Sequence, residues 1–319
     1  MSTQRGKWEF LWRRLLHAVP VILFATFVVF SLLKLVPGDI AMTLAGENAT
    51  DQRIAEIRQL YGLDQPFLVQ YGSWLWKAVK GDLSVSLLSG EPVLTSIMRS
   101  LPNTALIVAI ALLLSLVIGI PIGIFAASRP RSILDQSLMT FASLGVAVPN
   151  FWLAMILVSM FAIERSWFPA TGSVPLSQNV FEALRHALLP ALALAAGGIA
   201  EVARQLRSSL AEILSSQHVR TLHAKGVSPA AILWKHGLKN VSVNLLTVIA
   251  LLANRLLAAT VVVEAVFAIP GMGSLIVNAA VQRDFPVVQG VVFAMALIVI
   301  VINLAADAMY RVVDPRVAA

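Results

Sequence analysis

The run TALIVAIALLLSLVIGIPIGIFAA, from Thr104 to Ala127, contains 24 consecutive residues without a charged side chain. About 20 apolar residues in a helix are enough to cross the hydrocarbon core of a bilayer, so this run is predicted to be a membrane-spanning helix. Its GIPIG stretch places Gly119 and Gly123 four residues apart, with Pro121 between them. That spacing favours close packing against a neighbouring helix, with a proline-centred hinge as the alternative.

The composition of the whole chain supports a membrane protein. Of its 319 residues 58% are hydrophobic and 13% are charged, whereas soluble domains carry about 25% charged residues. The chain contains no cysteine, which excludes disulfides, thiolate chemistry and cysteine metal ligands.

Six apolar segments approach the length of a membrane span, which predicts an all-α polytopic fold with six transmembrane helices. The first is too long for the apolar part of a signal peptide and is predicted to be an uncleaved helix. The fourth is the weakest, because Pro190 and the Gly197–Gly198 pair interrupt it. The six segments lie near Leu16–Val36, Thr104–Ala127, Ser137–Ile163, Ala187–Ala203, Leu245–Phe267 and Val287–Tyr310.

The distribution of basic residues predicts the orientation. Fourteen of the 24 Lys and Arg residues lie at the two termini, after the second span, and between Arg204 and Lys239. Short loops rich in Lys and Arg stay on the cytoplasmic side. Both termini and the Arg204–Lys239 segment are therefore expected in the cytoplasm, and the excess of seven positive charges is interpreted as a topology signal rather than as a nucleic-acid site.

The long segment Pro37–Leu101 is predicted to be external. Its stretch DQRIAEIRQLYGLDQP is typical of an amphipathic helix that ends at Gly62, and Trp74 and Trp76 suit a membrane interface. We interpret this segment as a small external subdomain that is too short to be an independent enzyme.

Signatures of catalysis are missing from the sequence. It has no Walker A loop, no HExxH helix and no GxSxG elbow, so the chain is not expected to hydrolyse ATP. His218 and His223 are five residues apart, which suits neither a helical i,i+4 pair nor a usual zinc site. No catalytic residue, metal or cofactor is predicted.

Ionisable residues inside spans are costly and commonly face protein or water. Arg255 lies well inside the fifth span beside Asn254, and Glu264 lies nine residues further on, on the opposite side of the helix. Arg255, Asn254 and Glu264 are candidates for a translocation path. The alternative for Arg255 is burial against a neighbouring helix or subunit, and for Glu264 it is solvation at the membrane interface. Glu264 is interpreted as the only acidic candidate inside a span.

The basic segment VRTLHAKGVSPAAILWKHGLKN, from Val219 to Asn240, separates two apolar blocks. The preceding SSLAEILSSQHVRTLHAKG predicts one helix that continues from the fourth span and ends at Gly226. A second helix is predicted to start with Ser228 as N-cap and Pro229 at its first position. A structured amphipathic loop of this kind favours docking to a partner over a helix on the membrane surface.

This segment resembles the cytoplasmic EAA loop of binding-protein-dependent ABC importer permeases. The generic pattern is matched only at Gly226 and Leu238, but the variant R-T-x-x-A-K-G with H-x-L-x-N of dipeptide, oligopeptide and nickel importers fits more closely. The matching residues are Arg220, Thr221, Ala224, Lys225, Gly226, His236, Leu238 and Asn240.

Further motifs at family spacing extend the resemblance to nearly the whole chain and favour the B-type permease of such systems. They are LVPGD (35–39), YGLDQP (61–66), GDLSVS (81–86), VPNFWLA (148–154), VVVEAVFAIPGMG (261–273), RDFPVVQG (283–290) and DPR (314–316). Asn254 and Arg255 stand where relatives often have small or apolar residues, and Asn244 replaces a common proline. These departures put an unchanged peptide specificity in doubt.

The resemblance implies a type I (MetI-like) importer fold in the bacterial inner membrane. The N-terminus and first helix would occupy residues 1–36, the external (periplasmic) segment 37–101, the five-helix core 102–310 with its coupling loop at 204–240, and the C-terminus 311–319. The implied partners are a second homologous permease, two cytoplasmic ATP-binding subunits, an external substrate-binding protein and the lipid bilayer. A stand-alone secondary transporter is the alternative.

Overall fold

The protein is described by a computed structural model that covers residues 2–35, 41–42, 50–60 and 62–313. These residues are mostly helical, which confirms the all-α fold class. Residues 36–39 of the LVPGD motif, Tyr61 of YGLDQP and the DPR motif lie outside the described residues. The first helices are α1 (Ser2–Leu35), α2 (Asp51–Leu60), α3 (Phe67–Val79), α4 (Val93–Ser128), α5 (Ile133–Ala147) and α6 (Asn150–Leu157).

Six helices follow in the second half of the described chain. They are α7 (Val180–Leu214), α8 (Gln217–Ala224), α9 (Pro229–Ala231), α10 (Leu238–Val266), α11 (Met272–Val281) and α12 (Phe285–Val313). A π-helical turn, Val158–Ile163, extends α6, and another, Ile232–Gly237, joins α9 to α10.

The chain divides into two compact units. Residues 1–100 and 275–300 form the first, and residues 101–274 and 301–319 form the second. The core of the second unit is apolar and includes Ile107 of α4, Ala154 of α6, Leu194 of α7 and Leu252 of α10. Alanines recur on the buried side of α7, and such small side chains allow neighbouring helix backbones to approach closely in a membrane.

Four described helical segments are long and apolar enough to cross a membrane: Val93–Ser128, Val180–Leu214, Pro229–Val266 and Phe285–Tyr310. The α5–α6 pair makes a fifth if it is one broken span. In α1 the apolar stretch found among the described residues is the shorter Val19–Leu33. The count of six spans therefore stays a prediction.

The third predicted span, Ser137–Ile163, is not one continuous helix. α5 and α6 are bent by 94° relative to each other. The cause is Pro149, because a proline disfavours helical backbone in the residue before it. Val148 accordingly has extended backbone, with φ −85° and ψ 122°.

The interruption expected in the fourth span is absent, since α7 runs unbroken through Pro190 and Gly197–Gly198. Gly198 serves packing instead of breaking the helix. A Cβ added there would overlap the hydroxyl of Ser115, and that hydroxyl donates a hydrogen bond to the Ala111 carbonyl at 2.7 Å. Ser115 thus satisfies its polar group within α4 while it touches α7.

The close packing predicted for GIPIG is confirmed. A Cβ added to Gly119 would lie 2.9 Å from the carbonyl oxygen of Ile199, and one added to Gly123 would lie 2.8 Å from that of Ala203. Both distances are shorter than real Cβ contacts. The two glycines therefore let α4 lie directly on the backbone of α7, and α4 continues as a helix through Pro121.

In the first unit, the GDLSVS and RDFPVVQG motifs meet at Asp284. This carboxylate is buried. The hydroxyl of Ser86 donates to it at 2.5 Å and the backbone N–H of Leu87 donates at 3.1 Å. The stretch around Ser86 therefore belongs to the same compact unit as the beginning of α12.

Candidate functional site

The basic segment Val219–Asn240 contains two short helices joined by a glycine turn, as predicted. α8 ends in a Schellman motif, in which the Gly226 N–H donates to the His223 carbonyl at 3.0 Å and the Val227 N–H donates to the Leu222 carbonyl at 3.1 Å. Gly226 has φ +77°, a left-handed conformation that glycine adopts without steric cost.

The start of the second helix also agrees with the prediction. The Ser228 hydroxyl accepts a hydrogen bond from the Ala231 N–H at 3.4 Å, and Pro229 stands at the first helical position. The capping hydroxyl and the fixed φ of proline both favour a helix that begins here.

The prediction of a single helix from the fourth span to Gly226 is wrong. α7 ends at Leu214 and α8 starts afresh at Gln217. Ser216 has extended backbone and caps α8, since its hydroxyl accepts from the Val219 N–H at 3.4 Å. The second serine of the SSQH stretch therefore begins a helix where the sequence pattern predicted that one continues.

The stretch Arg220–Ala230 comprises the end of α8, the glycine turn and the start of α9. We call it the protruding turn. Most of its side chains are exposed, while Val219 and Ile232 on either side are almost fully buried. Gly237 completes the attachment, because a Cβ there would lie 2.9 Å from Leu210 of α7. The turn is thus fixed by buried residues at both ends, and its middle is exposed to contact with another molecule.

The eight residues predicted to dock a partner fall into two groups. Five lie in the protruding turn and are exposed: Arg220, Thr221, Ala224, Lys225 and Gly226. The other three lie where the second helix joins the long span: His236, Leu238 and Asn240. Within the second group the Asn240 side chain donates to the His236 carbonyl at 2.9 Å.

Inside the spans, Arg255 of α10 forms an ion pair with Glu201 of α7. Sequence reasoning missed Glu201, although it lies inside the predicted fourth span, so the interpretation of Glu264 as the only acidic candidate is wrong. The Arg255 side chain is 57% exposed within this chain and that of Glu201 is 26% exposed. Part of the ion pair is therefore not covered by this chain and faces the surroundings of α10.

Hydrogen bonds between polar side chains link α10 to two other helices. Asn254 donates to Asn303 of α12 at 2.9 Å, and Tyr310 of α12 donates to Thr247 at 2.7 Å. The third link is from Asn244, which donates to Ser209 of α7 at 2.5 Å.

Glu264 lies apart from these groups and is fully buried, which contradicts the alternative of solvation at the membrane interface. The Thr104 hydroxyl donates to one carboxylate oxygen at 2.6 Å and the Ser274 N–H donates to the other at 3.0 Å. The Thr104 oxygen also accepts from the Met272 N–H at 2.8 Å. The carboxylate thus connects the beginning of α4 with the first residues of α11.

The helical membrane fold, the exposed turn and the paired polar groups inside the spans fit a membrane transport permease. The chain belongs to the family described as "Binding-protein-dependent transport system inner membrane component", which matches residues 119–319. The model of the N-terminal part of the membrane component of such systems matches residues 7–108. The chain is therefore a multi-pass inner-membrane permease subunit of an ABC importer rather than a stand-alone carrier.

Two relatives match almost the whole chain. The oligopeptide transport system permease protein AppB of Bacillus subtilis is 38% identical over 96% of this chain and 98% of its own length. The glutathione transport system permease protein GsiC of Escherichia coli is 35% identical over 96% and 97%. A chain in the structure of the inward-facing MetNI methionine ABC transporter has a similar fold, with a TM-score of 0.57 at 19% identity over 68% of this chain and 96% of that one.

Proposed function

We propose that this permease pairs with a second homologous permease and forms a path for peptides or related small solutes. An external binding protein would deliver the solute, and two cytoplasmic ATP-binding subunits would supply the energy. The observation that carries this proposal is the protruding turn Arg220–Ala230, which is anchored at both ends and open in the middle. The substrate class is supported by relatives named for oligopeptides and glutathione.

The turn is suited to transmit movement from an ATP-binding subunit to the spans. On one side of the glycine, α8 follows α7 after two serines. On the other side, α9 continues through a π-helical turn into α10. Displacement of the turn would therefore move the cytoplasmic ends of two spans together. Exposed lysine charges contribute little individually, so shape and apolar contact should supply most of the binding.

We place the path beside the Arg255–Glu201 pair and Asn254. Leu251 and Val262 lie near Arg255 on α10 and are also exposed, so the ion pair stands on a face that the chain itself leaves open. An unsolvated arginine is costly in lipid, which favours a water-filled path or the second permease beside this face. Glu264 is assigned a different task, that of positioning the turn before α11.

Exchange of the two charges separates a path role from a structural one. Glu201→Ala is expected to reduce the amount of permease in the membrane, because an arginine without its carboxylate partner is costly inside a span. The double variant Glu201→Arg with Arg255→Glu should restore the amount of permease but not peptide uptake, since the cation has moved to α7. Immunoblots of membranes and uptake of a labelled peptide measure the two quantities. Full recovery of uptake would assign the pair a structural role alone.

The partner of the turn can be identified by cross-linking, since the chain has no native cysteine. Ala224→Cys is expected to yield an adduct with an ATP-binding subunit in native membranes, and the yield should change when ATP is added. Ser89→Cys, in the segment predicted to be external, is the matched control. It should react with an impermeant thiol reagent in intact cells and give no such adduct. Adducts of Ala224→Cys with lipid alone, in a well-expressed protein, would refute the coupling role.

A further inference from the structure

A groove with charged, polar and apolar side chains lies between α5 and α7, and none of its lining residues belongs to the protruding turn or to the Arg255–Glu201 pair. Its volume is about 410 Å³. The residues that line it are Asp135, Gln136 and Met139 of α5 and Arg204, Arg207 and Ser208 of α7. The groove lies near the ends of both helices that the charge distribution predicts to be cytoplasmic.

The one acidic side chain of the groove is already neutralised. Arg207 donates to both oxygens of Asp135, at 3.0 Å from Nε and 2.6 Å from Nη2. The Arg131 N–H donates to the same carboxylate at 2.9 Å, and Asp135 is only 2% exposed. This bidentate pair fixes Arg207 at the wall of the groove, and its Nη1 donates no hydrogen bond to any residue that the structure describes.

Arg204 is the available cation of the groove. It is exposed, and no carboxylate among the described residues pairs with it. Ser208 lies one helical turn further on and Gln136 lies opposite on α5, both exposed, so hydroxyl and amide donors stand beside the guanidinium. This set of donors suits a phosphate group, which accepts several hydrogen bonds and carries negative charge.

The surroundings favour a lipid over a free anion. Met139 provides an apolar wall one turn deeper along α5, and Ile133, Phe141 and Leu144 of the same helix are largely exposed, as expected for side chains in contact with acyl chains. Basic pockets between spans on the cytoplasmic side bind anionic headgroups. We propose that this groove binds the headgroup of an anionic phospholipid, with Arg204 and Arg207 on the phosphate.

The test is native mass spectrometry of the purified full-length chain with phosphatidylglycerol and phosphatidylcholine of identical acyl chains. Phosphatidylglycerol adducts should predominate. Arg204→Ala should weaken their retention about fivefold, and Gln136→Glu should weaken it by repulsion without removing a cation. Arg129→Ala is the matched control, because it removes one exposed arginine from the neighbouring loop, outside the groove.

Three results would overturn the proposal. Equal retention of the two lipids would show that the groove does not select for negative charge. An equal loss with Arg129→Ala and Arg204→Ala would show a diffuse surface attraction. Displacement of phosphatidylglycerol by millimolar inorganic phosphate would assign the groove to a free anion.

Discussion

Replacement of Gly226 by valine is expected to abolish transport while the permease still inserts into the membrane at its normal level. The φ of Gly226 is +77°, a conformation that costs an L-residue about 1–2 kcal/mol and is more strongly disfavoured for a β-branched residue. A Cβ at this position would meet no atom within 4 Å. The effect therefore comes from the backbone rather than from a clash, and the turn would leave the orientation in which it can dock.

A series of substitutions at this position separates backbone conformation from side-chain size. Gly226→Asn should retain most transport, because asparagine tolerates the left-handed region, and Gly226→Ala should lie between asparagine and valine. Gly72→Val is the matched control, since Gly72 lies within α3 and its added Cβ would also meet no atom within 4 Å. Peptide uptake and membrane immunoblots measure the outcome. Equal uptake by the valine and asparagine variants would contradict the conformational argument.

Features that depend on neighbours in the chain could be predicted from the sequence. Ser228 before Pro229 predicted the start of a helix, and Gly226 predicted the end of the one before it, because caps use side chains within a few residues. The glycine spacing of GIPIG likewise predicted a close helix contact without identifying α7 as the partner. Each of these signals lies within one short window.

Two prolines have effects that the sequence pattern does not predict. The apolar run of the third span is continuous across Pro149, and hydropathy carries no information about backbone direction, so the pattern predicts one helix where the structure bends by 94°. Pro190 predicts an interruption that the structure lacks, since the membrane interior allows neighbouring groups to compensate for the hydrogen bond that a proline removes. Composition predicts where a span lies better than it predicts its geometry.

Contacts between helices could not be predicted in the same way. Glu201 was visible in the sequence, but its pairing with Arg255 depends on how α7 lies against α10. The hydrogen bond between Thr104 and Glu264 joins residues 160 positions apart. Without that partner, the position of Glu264 near the end of a span indicated solvent, whereas the fold encloses it.

Glu264→Ala is expected to lower the thermal stability of the purified permease more than the loss of an exposed carboxylate. The substitution removes the acceptor of the Thr104 hydroxyl and the Ser274 N–H, and each buried donor left without a partner costs about 1–3 kcal/mol. The desolvation of the carboxylate opposes this effect, so we expect a net loss of about 2–4 kcal/mol in the free energy of unfolding. The loss should appear as a lower unfolding midpoint in detergent.

Two further variants test whether the loss of stability comes from the hydrogen bonds of Glu264. Glu264→Gln should cost less than alanine, because the amide oxygen still accepts one of the two hydrogen bonds and the side chain keeps its volume. Glu212→Ala is the control, since Glu212 is exposed on α7 and its loss should change the midpoint little. Equal midpoints for Glu264→Ala and Glu212→Ala would remove the structural role assigned to this carboxylate. A higher midpoint for Glu264→Ala would show that the buried carboxylate destabilises the fold, which favours a functional reason for its presence. Glu264 would then again be a candidate for the translocation path, together with Arg255.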